Sequence, residues 1–198
     1  MAGDPTVIEP RRPRVTSVLA TFNRAAVLDA TLTAIESQTR PPDEILVVDN
    51  ASTDDTLAML AQGHAQAATL RLSENSGASG GLAAGFEQAF QRGADFVWVG
   101  DDDTTPTPDA LRTLLGAAAL VPESDLGVLA LSGGTLRRGV VRHLPVGQLP
   151  VYRHGRDTSS PLHAADFVIY DGGLVTRRAY ELAGTPRADF FHDFGDLE

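Results

Sequence analysis

The chain has 198 residues, enough for one domain with a substantial buried core and too few for two full ones. Its formal net charge of -10 argues against binding nucleic acid by neutralising phosphates, which needs a basic face. All 16 basic residues are arginines and cysteine is absent, which excludes lysine-bearing phosphate loops, Schiff-base and thiolate catalysis, disulfides and cysteine-held metal centres.

Residues 1–13 are polar and proline-rich and read as a loose lead-in, without the apolar core of a secretory signal. Residues 14–20 predict a short buried strand, and Leu28, Leu32 and Ile35 follow at helical spacing in a helix that should end by Gln38. After Pro41 and Pro42, residues 44–48 supply a second strand; Ser52, Thr53, Asp54 and Asp55 look like a capping box that opens a helix through Leu60. Residues 69–72 give a weak third strand, and the glycine-rich residues 75–81 are expected to form a loop. Leu82, Phe86, Ala89 and Phe90 then mark one face of a helix. A fourth strand at residues 96–99, a helix at 109–120 and a strand at 126–131 complete the alternation. From 133 to 160 the alternation fails, and a hairpin or loop insertion is expected. Phe167, Val168, Ile169 and Tyr170 should return to the sheet, and a last helix should start near Thr176 and end by Gly184. The fold class is α/β, with helices flanking a mainly parallel sheet. No apolar run reaches the length of a membrane span, which suits a cytoplasmic protein, at most peripheral to the inner face of the plasma membrane.

Ligands bind such sheets at the carboxyl ends of the strands. Every chemically suggestive cluster lies at such an end: Thr21, Phe22, Asn23 and Arg24; Asp49 and Asn50; residues 75–81; and Asp101, Asp102 and Asp103. Three adjacent carboxylates resist joint ionisation unless a cation or several donors compensate them, and a hard divalent ion such as Mg2+ or Mn2+ does this naturally. Such an ion bridges carboxylates to substrate phosphates; the plainer alternative is a solvated acidic turn leading into a helix. The triplet is not a calcium loop, because Pro106 and Arg112 stand where that motif needs glycine and glutamate. Asp49 can cap the next turn or accept hydrogen bonds from a base or ribose. Gly77-Ala78-Ser79-Gly80-Gly81 literally fits a hydrolase nucleophile elbow, with His192 as a late triad histidine. That motif should follow its strand abruptly, whereas residues 73–76 intervene, and no oxyanion-hole motif precedes it. A serine hydrolase using Ser79 is therefore kept as an alternative. Near the end, Phe190, Phe191 and Phe194 surround His192, Asp193, Asp196 and Glu198. Aromatic packing would desolvate these acids and raise one toward a working base; the alternative is an ordinary acidic first turn of a helix. His64, His143, His154 and His163 read as surface or loop residues.

Taken together, Thr21-Phe22-Asn23-Arg24, Val47-Val48-Asp49-Asn50-Ala51-Ser52-Thr53-Asp54 and the Asp101 to Asp103 triplet resemble the motifs of inverting family 2 glycosyltransferases of the GT-A fold, from residue 14 onward. Residues 75–81 followed by Gly93-Ala94-Asp95-Phe96-Val97-Trp98 are similar to the actinobacterial galactofuranosyltransferases and related rhamnosyltransferases. The resemblance implies a UDP- or dTDP-linked sugar donor, a hydroxyl of a cell-envelope glycan or lipid-linked acceptor, and Mn2+ or Mg2+ as cofactor. Donor contacts would come from Thr21, Asn23, Arg24, Asp49, Asn75, Gly77, Gly80, Gly81, Asp101 and Asp102, with Asp49 on the base and metal on Asp101 and Asp103. The backbone of residues 75–81 would approach the diphosphate or sugar closely. The terminal segment resembles the family's base-bearing region, with Gly195 where an acid is common, so Asp196 inherits the role of base and Asp193 is its substitute. Gly172, Gly173, His192 and Glu198 would lie on the acceptor side. Family members continue past this segment, so the resemblance implies a GT-A domain over residues 14–198 that is short at its C-terminal, acceptor side. A catalytically incomplete nucleotide-sugar-binding module is the alternative outcome.

Overall fold

The computed structural model describes residues 11–130, 133–137, 140–143, 167–168 and 171–188. Four parallel strands carry the fold: β1 (Val15–Thr21), β2 (Glu44–Asp49), β3 (Ala68–Arg71) and β4 (Phe96–Asp101). Their order is β3-β2-β1-β4, followed by β9 (Leu174–Thr176) and β5 (Val128–Leu129). β9 runs antiparallel to both β4 and β5. The chain leaves β1 toward β2 and β3 on one side and then crosses back to place β4 on the other. The β1/β4 seam is therefore where strand order reverses, the place where ligands bind in open α/β sheets, outside the carboxyl ends of the strands.

Strand alternation sends successive side chains to opposite faces, and both faces are covered. Val15, Leu19, Val47 and Trp98 pack on one side with Leu28, Leu32 and Ile35 of α1 (Ala25–Glu36), Leu60 of α2 (Thr56–Gly63) and Leu111 and Leu114 of α4 (Ala110–Ala118). Val18, Leu46, Val97 and Val99 pack on the other with Leu82, Phe86 and Phe90 of α3 (Gly77–Gln91). Tyr180 of α5 (Arg177–Ala183) stacks on Phe90, with ring centroids 4.6 Å apart. Each fully buried leucine contributes about 1.5–3 kcal/mol.

Several expectations change. Residues 75–81 are not a free glycine loop: α3 starts at Gly77, and the glycines let the helix lie close on the sheet. A Cβ on Gly85 would come within 2.5 Å of Val18 Cγ1, and one on Gly81 within 2.8 Å of Ala20 Cβ. The Ser52 to Asp55 segment is not a capping box, because the Ser52 hydroxyl accepts from the Asn23 N–H at 2.9 Å and α2 begins only at Thr56. Phe167 and Val168 (β8) do not rejoin the main sheet; they pair with β6 (Gly133–Arg137), which also pairs with β7 (Val140–His143) in an antiparallel hairpin. The hairpin expected after residue 133 is present, and β9 takes the place in the main sheet expected of residues 167–170. The last helix is as expected: the Thr176 hydroxyl accepts from Ala179 N and Gly184 ends it at φ 82°.

His64 is not a surface residue. Its ring is buried between α1 and α2, with Nδ1 2.9 Å from Glu36 Oε1 and Nε2 3.0 Å from Asp29 Oδ1. Burial pulls its pKa down, but the two carboxylates outweigh burial and raise it above the ordinary 6.5. A pKa raised on folding gives stability that is complete below the unfolded value and lost as pH rises through the folded one. Thermal or urea unfolding of the wild type should therefore show stability falling on alkaline passage through that range, whereas His64→Gln should flatten this slope. An unchanged slope in the variant would remove the clamp from the account.

Candidate active site

β1 and β4 end side by side, with Ala20 in register with Asp101, so Thr21 and the acidic triplet share one rim. The middle acid turns inward. Asp102 is 5% exposed; its carboxylate accepts from Thr21 Oγ1 at 2.6 Å and from Arg24 Nη1 at 2.8 Å, and its carbonyl accepts from Thr31 Oγ1 at 2.9 Å. Burial pushes the Asp102 carboxyl above the usual carboxylate range, against the lowering effect of Thr21 and Arg24. Asp103 faces solvent, half exposed, and accepts from Arg24 Nη2 at 2.8 Å. Arg24 thus ties two carboxylates together at the N-terminal end of α1.

The second strand end is fastened to the first. Asn23 adopts φ 56°, a left-handed conformation that asparagine tolerates, and its Oδ1 accepts from Thr53 N at 2.7 Å and Asp54 N at 3.2 Å. Ala51 is held at φ 61°, costly for a residue with a Cβ, between Asn50 and Ser52. Asp49 is fully buried, and its Oδ1 accepts from Ser52 N at 3.0 Å. Its Oδ2 has no hydrogen-bond partner; Arg71 Nε lies 3.6 Å away. A buried carboxylate oxygen left in this state costs free energy unless a donor reaches it. Asn50 Oδ1 accepts from Ser76 Oγ at 3.1 Å, which draws the start of α3 to the same rim, and Asn75 Oδ1 accepts from Gly77 N at 2.9 Å.

Thr21, Asn23, Arg24, Asp49, Asp101, Asp102 and Asp103 are thus brought to neighbouring strand ends, with Asn75 and Gly77 at the start of α3. Gly80 and Gly81 are buried in the first turns of α3, where a Cβ on Gly80 would meet Ser76 at 2.6 Å. Ser79, at 6% exposure inside the same helix, is not at a strand-to-helix elbow, which removes the geometry a hydrolase nucleophile needs. Gly172 and Gly173 lie beside β4: the Gly172 carbonyl accepts from Trp98 Nε1 at 3.2 Å and the Gly173 carbonyl from Val99 N at 2.9 Å. Asp193, Asp196, His192 and Glu198 lie outside the described residues. Two residues escaped the sequence reading. Arg71 meets Asp49 only through the β2/β3 register, and Asp171 accepts from Asp101 N at 3.1 Å and Thr104 Oγ1 at 2.8 Å across a gap of about 70 residues.

Among the described residues no group of three metal-binding side chains is assembled. Hard ions such as Mg2+ or Mn2+ use one or two carboxylates and complete their shells with water and substrate phosphates, and the half-exposed Asp103 carboxylate at the rim is of that chemistry. No helix among the described residues is long and apolar enough to cross a membrane.

A galactofuranosyltransferase of Mycolicibacterium smegmatis is 39% identical over 186 residues, covering 89% of this chain and 61% of that protein. This chain therefore spans less than two thirds of that relative's length. A mannosyltransferase from Pyrobaculum calidifontis, solved in complex with GDP-Man and Mn2+, has a TM-score of 0.60 and 24% identity over 95% of this chain and 50% of its own. S. aureus TarS 1-349 in complex with UDP has a TM-score of 0.64 at 19% identity, over 93% of this chain and 53% of its own. These two likenesses concern the fold, which is GT-A. A profile described as Glycosyl transferase family 2 matches residues 16–168, a span that takes in β1, β2, β4 and the acidic triplet, and the chain belongs to that family.

Proposed function

We propose that this chain is the donor-binding and catalytic part of a metal-dependent, inverting glycosyltransferase. It would move galactofuranose from UDP, in preference to rhamnose from dTDP, to a hydroxyl of a cell-envelope glycan or lipid-linked acceptor. One observation carries this reading: Asp49, a buried carboxylate with one oxygen unpartnered, ends β2, one strand away from the β1/β4 seam, where Asp103 stands half exposed in the turn after β4. The identity to a galactofuranosyltransferase supports the choice of sugar.

Asp49 Oδ2 would accept the N–H of a pyrimidine base, and Arg71 would donate to the carbonyl beside it, a donor and acceptor pair complementary to uracil or thymine. Arg24 would stand near the nucleotide, and Thr21 would act through Asp102. Asp101 and Asp103 would hold Mn2+ or Mg2+, which when bound supplies positive charge against the diphosphate as it departs. Asp196, with Asp193 as substitute, would accept the proton of the acceptor hydroxyl. The freed oxygen would bond to the anomeric carbon opposite the diphosphate, whose bond breaks, and the configuration would invert. Gly172, Gly173, His192 and Glu198 would border the acceptor, and a lipid-linked acceptor would bring the protein to the membrane surface.

The test is transfer from labelled UDP-galactofuranose and dTDP-rhamnose to a synthetic galactofuranosyl acceptor with Mn2+, with the linkage read by NMR. The expected result is an inverted product from the UDP donor. Donor binding without product would make the chain a nucleotide-sugar-binding module, and failure to bind either nucleotide with or without Mn2+ would overturn the reading.

A further inference from the structure

Asp171 reaches the acidic rim from the strand that runs against the others. It opens the segment entering β9, and its Oδ1 accepts two hydrogen bonds from the turn beyond β4, from Asp101 N at 3.1 Å and from Thr104 Oγ1 at 2.8 Å. These two donors bracket the triplet. The next two residues continue the attachment along β4, because Trp98 Nε1 donates to the Gly172 carbonyl and Val99 N to the Gly173 carbonyl. Gly172 has φ 73°, so the chain bends into β9 through a conformation natural to glycine.

A further carboxylate beside three others is electrostatically unfavourable unless donors compensate it. Here its oxygen accepts from a main-chain N–H and a hydroxyl, and so fixes the turn on which Asp101 and Asp103 ride. The inner side of that turn is held separately by Thr21, Arg24 and Thr31 through Asp102. The triplet is thus gripped from two directions, by α1 and β1 on one flank and by the Asp171 segment on the other.

We infer that Asp171 is a positioning residue for the donor site: it holds the Asp101 to Thr104 turn so that the Asp101 and Asp103 carboxylates stand ready for a metal-bound nucleotide diphosphate. It neither ligates the ion nor takes a proton. This inference rests on the proposed donor site, and it specifies what an acceptor of the right shape, charged or not, must supply at position 171.

Three single variants of the full chain, Asp171→Ala, Asp171→Asn and Thr104→Val, and the double variant Asp171→Ala with Thr104→Val test it. UDP binding is measured by calorimetry with and without Mn2+, and amide hydrogen exchange is followed at residues 101–104. Asp171→Ala should weaken Mn2+-dependent UDP binding about tenfold, as expected for the loss of two hydrogen bonds, and should speed exchange at Asp101 while leaving β1 and α1 protected. Asp171→Asn keeps the acceptor oxygen and should restore both readouts. Thr104→Val should show a smaller loss in the same direction, and none further in the Asp171→Ala background. A ligand or a base would be damaged by asparagine as much as by alanine, and that result would overturn the inference, as would unchanged exchange at Asp101 in Asp171→Ala. If Asp171→Ala does not fold, the asparagine and Thr104→Val pair still decides. Wild type that binds no UDP would fail the donor reading and this inference with it, whereas wild type that binds normally beside an indifferent Asp171→Ala would fail this inference alone.

Discussion

Asp103→Ala should lose Mn2+-dependent UDP binding by about a hundredfold or more, because groups that merely orient a metal's ligands already cost about 10–100-fold in metal affinity when removed. Metal-free UDP binding should barely change, since Asp49 and Arg71, the pair proposed to read the base, lie on β2 and β3. The fold should also survive. Asp103 is half exposed and shares Arg24 with Asp102, so its ion pair contributes about 0–1 kcal/mol to stability, and Arg24 keeps its 2.8 Å tether to the buried acid. Calorimetry with UDP, with and without Mn2+, reads the difference directly. Metal-dependent binding that persisted in the variant would defeat the assignment of Asp103.

Asp196→Asn should have the opposite profile. Removing a general base costs about 10²–10⁴-fold in rate while leaving the groups that hold the nucleotide in place. UDP binding should therefore match wild type while transfer from labelled donor collapses. Asp193→Asn, run beside it, decides between the two candidate bases of the terminal segment. If Asp193→Asn alone abolishes transfer, the role passes to Asp193; if neither variant is impaired, the base lies elsewhere.

The parallel half of the fold was plain in the sequence because β1, β2 and β4 are largely buried on both faces and the helices keep one apolar stripe. Val18 to Ala20, Ile45 to Val48 and Phe96 to Gly100 are apolar runs that end at Thr21, Asp49 and Asp101, and that stop is also what marked Thr21, Asp49 and the triplet as rim residues. Residues 75–81 misled because glycine has two uses: composition signals a loop, but Gly81 and Gly85 are there to let α3 touch β1 and β2. Phe167 and Val168 were legible as a strand, yet apolarity says nothing about which sheet a strand joins. His64 lies in the loop after α2, within the expected surface-or-loop class, but its burial was not legible because its two carboxylate partners lie 28 and 35 residues earlier, on α1. Arg71 and Asp171 share that difficulty. Each acquires its neighbour through strand pairing, and pairing partners are invisible in a one-dimensional pattern.

The antiparallel insertion of β9 between β4 and β5 has a consequence for how the chain is assembled. Val128 and Leu129 find their mates, Val175 and Leu174, only after more than forty further residues have been synthesised. Until then β4 is an open edge, able to accept a foreign strand. The four-strand parallel block can zip up early, but closing its flank means shutting a long loop, a slow non-local event. A nascent chain released before Leu174 would expose that seam and be prone to stick to its neighbours.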